Sequence, residues 1–345
     1  MISLWMEDLL MFSVKSHRGS YNVYLTDDIS VEEFSDSFMV IDSVVLKLYP
    51  YLNTLVDSKR IFILEACEEN KTIQYCSLLV EFLIKAGFKK NNNLVAVGGG
   101  ITQDITSFTA SILFRGVEWR FIPTTLLAQA DSCIGSKTSI NFFDTKNVLG
   151  TFYPPSKIWC SKTFLETLCE EDIDSGIGEM LHYFMITNSH HLRLIDKNNL
   201  KPSIEESLSI KKEIIEIDEF DKKERRVFNY GHTFGHAVEV ISNYSIRHGV
   251  AVTIGMHMAN YVSYKLGLIS EAVYKYLQSC IEFNLPEFRL ANLDEYMNIL
   301  QKDKKNINRS IVCILPHGIA NMKVTSITDL AALKQILISY TDECN

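Results

Sequence analysis

The sequence predicts an α/β N-terminal domain over residues 1–157 followed by a mainly α-helical domain over 158–345. Three observations carry this. Short β-rich apolar runs alternate with helical stretches through the first half. A glycine triplet, Gly98-Gly99-Gly100, follows one of those runs and precedes a helical pattern. Beyond Pro154-Pro155 the texture changes and long helical patterns take over.

Taken in order, Phe38-Met39-Val40-Ile41 and Arg60-Ile61-Phe62-Ile63-Leu64 read as buried strands. Thr72 to Ala86 reads as an amphipathic helix, and Asn93-Leu94-Val95-Ala96-Val97 as the strand that runs into the glycines. Trp119-Arg120-Phe121-Ile122-Pro123 reads as one further strand. In the second half, Leu208, Ile210, Ile214 and Ile217 are expected on one apolar helical stripe.

Composition narrows the function classes. At 345 residues with 47% hydrophobic and 22% charged residues, the chain has ample material for a buried core. A net charge of −8 argues against a nucleic-acid binder, whose surface must neutralise phosphates. No apolar run reaches the length of a bilayer span, and Glu7 and Asp8 interrupt the apolar start, so neither a membrane partner nor a signal peptide is expected. The eight cysteines are scattered without a C-x-x-C pair, which suits reduced thiols in the cytoplasm.

Five blocks carry chemistry. In the first, Gly98-Gly99-Gly100 leads to Asp104; it is either a tight turn or a place where backbone N–H groups at a helix start meet a phosphate. The second runs from Arg115-Gly116 through Thr124-Thr125, Asp131, Ser136-Lys137 and Lys146-Asn147. Its hydroxyls, amides and lysines suit capture of a sugar phosphate. The third, Ser175-Gly176-Ile177-Gly178-Glu179-Met180-Leu181-His182, holds a glutamate that is either a helix-surface residue or an oxygen ligand. The fourth combines Lys211, Arg225 and Asn229 with Gly231-His232-Thr233-Phe234-Gly235-His236 and His248-Gly249. His232 and His236, four apart, share one helix face, as core histidines or as a metal-ligand pair. The fifth is Asp303-Lys304-Lys305-Asn306.

These blocks resemble the 3-dehydroquinate synthase family of sugar-phosphate cyclases, from about Val40 to Gly318 and most densely between Gly98 and Gly249. The resemblance implies an NAD-binding N-terminal domain, a helical metal- and substrate-binding domain, and an active site in the cleft between them. Positions matching NAD contacts are Asp42, Glu68, Lys71, Gly98, Gly99, Gly100, Asp104, Thr124, Thr125, Lys146 and Thr167. Glu179, His232 and His248 match the ligands of zinc, or of another divalent cation such as cobalt. Asp131, Lys137, Asn147, Lys211, Arg225, Asn229, His236 and one lysine of Lys304-Lys305 match substrate contacts. Arg115 matches an arginine that reaches a neighbouring subunit, which implies a homodimer. Spacing alone would pair His232 with His236 on the metal; the resemblance moves His236 to the phosphate and completes the ligand set with Glu179 and His248.

The implied chemistry begins with transient oxidation of a ring alcohol by NAD, aided by the metal as a Lewis acid. The resulting carbonyl acidifies a neighbouring C–H, and phosphate leaves by β-elimination. Re-reduction, ring opening and an aldol closure then give a carbocycle. The expected reaction takes 3-deoxy-arabino-heptulosonate 7-phosphate, a small phosphorylated sugar acid, to 3-dehydroquinate in the shikimate pathway. Arg225 with Lys211 suits a substrate carboxylate, since guanidinium binds carboxylate bidentately.

Five positions depart from the family pattern. His182 stands where these synthases carry an active-site lysine in Glu-x-x-Lys, and a histidine is shorter and lacks the fixed charge. Ser136 replaces the second glycine of Gly-Gly-Lys, Gln103 a glycine before Asp104, Asp172 a glutamate, and Val250 a carboxyl or amide after His248-Gly249. Together they mark a divergent member. They leave two alternatives: a cyclase for sedoheptulose 7-phosphate, glucose 6-phosphate or an amino analogue, and an NAD- and metal-dependent polyol or glycerol-phosphate dehydrogenase.

Overall fold

The chain was analysed as a computed structural model that describes residues 9–26, 29, 33–143, 145–187, 189–290, 292–302 and 310–343. Contacts divide it into two units, Met1–Leu168 with Lys211–Phe220, and Cys169–Ile210 with Asp221–Asn345. The Asp303-to-Asn306 cluster, including Lys304 and Lys305, lies outside the described residues.

The first unit is built on a seven-stranded sheet. In chain order its early elements are β1 (Leu9–Ser16), β2 (Gly19–Leu25), β3 (Phe38–Asp42), α1 (Ser43–Leu48), β4 (Ile61–Leu64) and α2 (Ile73–Lys85). They are followed by β5 (Leu94–Gly98), α3 (Gly100–Ile112), β6 (Trp119–Pro123), β7 (Lys137–Phe142), β8 (Thr145–Phe152) and β9 (Lys157–Cys160). The sheet order is β1-β2-β9-β6-β5-β3-β4, parallel throughout except for the β1–β2 hairpin. β5 is buried at every position, as a central parallel strand covered on both faces must be. The core beneath it gathers Phe34, Met39, Ile41, Val95, Val97, Ile122 and Trp159.

The strand order contains a reversal that matters for function. From β3 the chain steps outward to β4, whereas from β5 it steps the other way to β6. β3 and β5 are neighbours, with Ile41 paired to Val97. Their carboxyl ends therefore flank a topological switch point, the place where open α/β sheets leave a crevice for a ligand. Asp42 ends one strand and Gly98 the other.

The sequence-predicted strands and helix of this half are present, with ends moved by a residue. Thr72 is the N-cap of α2, its hydroxyl accepting from Tyr75 N, and Arg60 belongs to a short 3-10 turn before β4. The β7–β8 hairpin was not expected. Its strands are rich in Thr, Ser and Asn rather than in alternating apolar residues, so its sequence reads as a polar loop.

The second unit is mainly helical. It contains α4 (Glu170–Thr187), the first ten residues of α5 (Lys201–Ile217), α6 (His232–Ile241), α7 (His248–Lys265), α8 (Glu271–Ile281) and α9 (Leu293–Gln301). An antiparallel hairpin of β10 (Ile311–Pro316) and β11 (Met322–Ile327) precedes the last helix, α10 (Leu330–Glu343). The expected stripe on α5 is displaced. Leu208 and Ile210 are buried, but Ile217 is 72% exposed and the buried line is completed by Ile204 and Ile215. Steps of four and seven from Leu208 lead to Lys212 and Ile215, so Ile217 has rotated out of register with the apolar face. No helix among the described residues is long and apolar enough to cross a membrane, and the seven described cysteines are free thiols.

Candidate active site

In the second unit, three helices bring one carboxylate and two imidazoles together. Glu179 lies in the middle of α4, His232 opens α6 and His248 opens α7. The approach of α4 to α7 depends on two glycines. A Cβ on Gly178 would stand 2.0 Å from the Gly249 carbonyl oxygen, and one on Gly249 would stand 1.7 Å from the Ser175 carbonyl oxygen. Only glycine permits backbones to meet this closely. The contact puts Glu179 and His248, each adjacent in sequence to one of these glycines, on facing helices.

The ligand atoms converge on one point. Glu179 Oε1 is 2.9 Å from His248 Nε2 and 3.7 Å from His232 Nε2. Each residue is also held from outside. His232 Nδ1 lies 3.2 Å from the Tyr230 carbonyl oxygen, and His248 Nδ1 lies 3.1 Å from Glu239 Oε2. With Nδ1 engaged outward, Nε2 of both rings is presented inward, the arrangement in which metal-binding histidines are oriented by an outer partner.

Electrostatics show what the centre lacks. The Glu179 side chain is 2% exposed, and its Oε1 has no aligned hydrogen bond. Burial alone would raise its pKa, but the charge of His232, with His182 and His248 at hydrogen-bonding distance, outweighs it and holds the carboxyl well below its usual range. Burial likewise opposes charge on His248, yet Glu179 and Glu239 raise its pKa well above the ordinary imidazole value. Positive charge on the neighbouring histidines thus favours the ionised form of this buried carboxylate. A divalent cation supplies that charge directly, and one carboxylate oxygen with two imidazole nitrogens is a catalytic zinc donor set that leaves a position open.

His236 and Glu239 share a face of α6 with His232, at steps of four and seven. His236, Glu239 and His248 form a second trio within ligand reach of one another. The first trio fits a cation better, because it contains the buried, unpaired carboxylate oxygen. Glu239 was missed by the sequence reading. Its position seven residues after His232, on the polar face of an otherwise apolar helix, was the available signal. Of the remaining predicted residues in this unit, Arg225 is buried in a 3-10 turn just before α6, and the Asn229 amide donates to the Arg226 carbonyl. His182 is packed beside Glu179, with Nδ1 3.2 Å from Oε2.

In the first unit, Gly98, Gly99 and Gly100 join β5 to α3 at the switch point. A Cβ on Gly98 would collide with Thr102 Oγ1 at 2.4 Å, whereas one on Gly100 would enter open space. That opening lies at the N-terminus of a thirteen-residue helix, where free N–H groups and the helix dipole favour an anion. A dinucleotide's pyrophosphate fits such a cradle. Asp42, across the crevice, caps α1 by accepting from Val44 N, and burial raises its pKa against that bond.

The other predicted dinucleotide residues form a polar network beside this cradle. Lys71 Nζ is 2.9 Å from Asp104 Oδ2, and Ser139 N donates to Asp104 Oδ1. Burial raises the Asp104 pKa while Lys71 pulls it down. Glu68 accepts from the Asn141 amide at 2.8 Å and lies 3.6 Å from Lys146. Asn147, in the left-handed region at φ 53°, donates its N–H to Asn141 Oδ1. Asn141 and Ser139 are therefore members of this network that the sequence reading did not single out. Thr124 N donates to the Gly98 carbonyl, Thr125 Oγ1 caps Ala128 N, and Thr167 Oγ1 meets the Tyr49 hydroxyl. Lys137 is exposed at the start of β7.

Asp131 sits in a single π-helical turn, Ala128–Ser132, a local form frequent at functional sites. Lys211, 5% exposed, reaches it with Nζ 2.8 Å from Oδ1 and 2.7 Å from the Asp131 carbonyl oxygen. Two of the departures from the family pattern have a local reason here. Gln103 exchanges two hydrogen bonds with Ser132, fastening α3 to the π turn. Ser136 occupies φ 65°, a conformation that suits glycine, and its hydroxyl donates to Glu219.

A sheet with a glycine cradle at its switch point and a helical unit holding Glu, His and His define a class of proteins. It is the class that joins dinucleotide binding to a metal centre. Comparison with known proteins narrows this. The pattern described as 3-dehydroquinate synthase N-terminal matches residues 61–175, and that described as 3-dehydroquinate synthase C-terminal matches 176–306. The 3-dehydroquinate synthase of Campylobacter fetus is 34% identical over 334 residues, covering 92% of this chain and 95% of that one. Among solved structures, 2-deoxy-scyllo-inosose synthase complexed with carbaglucose-6-phosphate, NAD+ and Co2+ superposes with a TM-score of 0.85 at 24% identity, over 95% of this chain and 99% of that one. The 2-epi-5-epi-valiolone synthase of Streptomyces hygroscopicus, with NAD+ and Zn2+ bound, gives 0.81 at 22% identity, over 93% and 97%. The chain belongs to the 3-dehydroquinate synthase family.

Proposed function

We propose that this chain acts as a 3-dehydroquinate synthase, a phosphate-eliminating carbon–oxygen lyase that takes 3-deoxy-arabino-heptulosonate 7-phosphate to 3-dehydroquinate. One observation carries the reading: the Glu179–His232–His248 trio stands in a chain 34% identical to such a synthase over 92% of its length. When bound, NAD supplies a hydride acceptor that is restored within each turnover, and zinc or cobalt supplies Lewis-acid polarisation of a substrate oxygen.

The chain's own residues divide the remaining work. Glu179, His232 and His248 hold the cation. Gly98, Gly99 and Gly100 with the start of α3 hold the dinucleotide's phosphates, and Asp42 at the end of β3 is the acceptor for its ribose. Lys71, Asp104, Glu68 and Lys146, already paired with one another, give that pocket a preorganised polar wall with Thr124, Thr125 and Thr167. Lys137 and Asn147 in the first unit, and Asn229 and His236 in the second, are the candidate contacts of the substrate phosphate. Their positive and N–H groups stabilise the charge that grows on it as it leaves. Lys211 in the first unit, its ammonium fixed by Asp131, and Arg225 in the second are each candidates for the substrate carboxylate. The departing phosphate can accept the proton from the carbon next to the ketone, so no separate protein base is assigned.

We infer a homodimer in which Arg115 reaches the neighbouring site. Arg115 is exposed on a turn held at positive φ (64°), between Phe114, 42% exposed, and Gly116, and Ile112 beside it is 47% exposed. Apolar residues on a fixed turn suit a subunit contact. Reduced thiols at the seven described cysteines fit a cytoplasmic enzyme.

The test is phosphate release from 3-deoxy-arabino-heptulosonate 7-phosphate with NAD and zinc or cobalt, followed alongside absorbance at the NADH band. The expected result is release without net NADH. Well-metallated protein that releases no phosphate overturns the reading, and accumulating NADH would make the chain a dehydrogenase. Release from sedoheptulose 7-phosphate or glucose 6-phosphate instead would assign it to the neighbouring cyclases.

A further inference from the structure

His182 has a place in the structure that its sequence position does not suggest. It lies one turn beyond Glu179 on α4, so the two side chains leave the same face of the helix. Its side chain is 1% exposed, with Nδ1 3.2 Å from Glu179 Oε2. Aromatic rings pack around it: the centroid is 3.9 Å from Tyr183, 6.0 Å from Phe228 at 78°, and 5.2 Å from His232 at 85°. The ring plane is thereby fixed. Neither imidazole nitrogen has an aligned hydrogen bond among the described residues. Leaving a buried polar group in that state is costly, so an apolar residue would be the more stable choice unless the nitrogen has work to do.

The partner within reach is the second oxygen of the Glu179 carboxylate, Oε2. Glu179 offers Oε1 toward the two Nε2 atoms and turns Oε2 toward His182. The other two ligands are already held from behind, His232 by the Tyr230 carbonyl and His248 by Glu239. Glu179 is the only one of the three whose outer contact is an imidazole.

We propose that His182 is a positioning residue for the metal ligand Glu179. With a cation held by Oε1, Nδ1, already 3.2 Å from Oε2, would align its N–H to donate to that oxygen and stop the carboxylate from turning. This inference rests on the reading of Glu179, His232 and His248 as a metal site. Residue 182 thus acts on the cation through Glu179.

Three variants of the full chain test it: His182→Phe, which keeps a ring and removes the donor; His182→Leu, a second donor-less residue should the first fold poorly; and His182→Asn, whose amide nitrogen stands near the position of Nδ1. Zinc affinity is measured by chelator competition, and the visible d–d spectrum is recorded on the cobalt-loaded protein. The Phe and Leu variants are expected to bind zinc about 10–100-fold more weakly with an altered cobalt spectrum, and the Asn variant to recover most of both. Substrate KM at saturating metal should change less than the metal affinity. Unchanged zinc affinity and spectrum in the donor-less variants would overturn the inference alone, as would an Asn variant no better than Phe. If the unsubstituted protein binds no zinc or cobalt, or Glu179→Gln binds as well as it does, the metal-site reading falls and the inference with it.

Discussion

Glu239 Oε2 and His248 Nδ1 face each other at 3.1 Å, while Nε2 of the same ring lies 2.9 Å from Glu179 Oε1. One imidazole is thus gripped between two carboxylates, of which Glu179 is the proposed ligand and Glu239 the proposed brace. A carboxylate behind a metal-binding histidine fixes its tautomer and raises its basicity. Glu239→Gln keeps the shape and can still accept at its amide oxygen, but removes the charge. Zinc affinity is expected to fall about 10–100-fold, with the far-UV circular dichroism of the metal-free protein unchanged. Equal affinities would mean that Glu239 is a bystander.

Metal binding should also appear as stability. A ligand that binds only the folded state at 100 times its Kd adds about 2.7 kcal/mol. Zinc should therefore raise the thermal midpoint of the chelator-treated protein, and Glu179→Gln should abolish the rise. The metal-free Glu179→Gln variant should itself be less stable than metal-free wild type near neutral pH, because the lowered pKa of Glu179 and the raised pKa of His248 both favour the fold there. It replaces a 2%-exposed carboxylate, whose ionised form is favoured in the fold over the unfolded chain, with a neutral group of the same shape. Differential scanning calorimetry with and without zinc on both proteins decides the point.

How much of this was readable in the sequence depends on the kind of signal. The strand ending in Val97 and the glycines after it follow from apolar runs and turn chemistry, and the structure has them within one residue. His232, His248 and Glu179 were picked out through a family resemblance, and the structure brings them together; spacing alone would have chosen His236. Glu239 escaped because a lone glutamate near a helix end reads as a solvated residue until the opening of the next helix is known to lie against it. The β7–β8 hairpin escaped because its pairing rests on backbone bonds and Thr138–Thr151 hydroxyl contact, with little apolar alternation to announce it. Ile217 differs for the opposite reason: it is apolar but lies off the helical face that Leu208 and Ile215 share.

Gly178 and Gly249 separate packing from chemistry. A methyl group on Gly178 would sit 2.0 Å from a backbone oxygen that has no side-chain freedom to move. Gly178→Ala must then push α4 away from α7, and overpacking of this kind costs about 1–3 kcal/mol. Urea unfolding should show the loss as a lowered midpoint with an unchanged slope. Because the same displacement moves Glu179 away from His248, zinc affinity should fall with it. A variant of full stability and normal zinc affinity would show that the two helices do not need this contact.

Gly100→Ala should behave in the reverse way. The added Cβ meets no atom within 4 Å, and Gly100 is the first residue of α3, not in the left-handed region. Replacing a helical glycine by alanine at such a site stabilises by about 0.4–1 kcal/mol, chiefly by restricting the unfolded chain. The same methyl group would project into the space from which a phosphate approaches the helix N-terminus. Thermal unfolding should thus be unchanged or raised by a few degrees, while NAD affinity, measured by calorimetry, falls at least several-fold. Gly98→Ala, whose Cβ would meet Thr102 Oγ1 at 2.4 Å, is the contrast and should lose stability. Undiminished NAD binding in the Gly100 variant would show that the dinucleotide does not rest on this cradle.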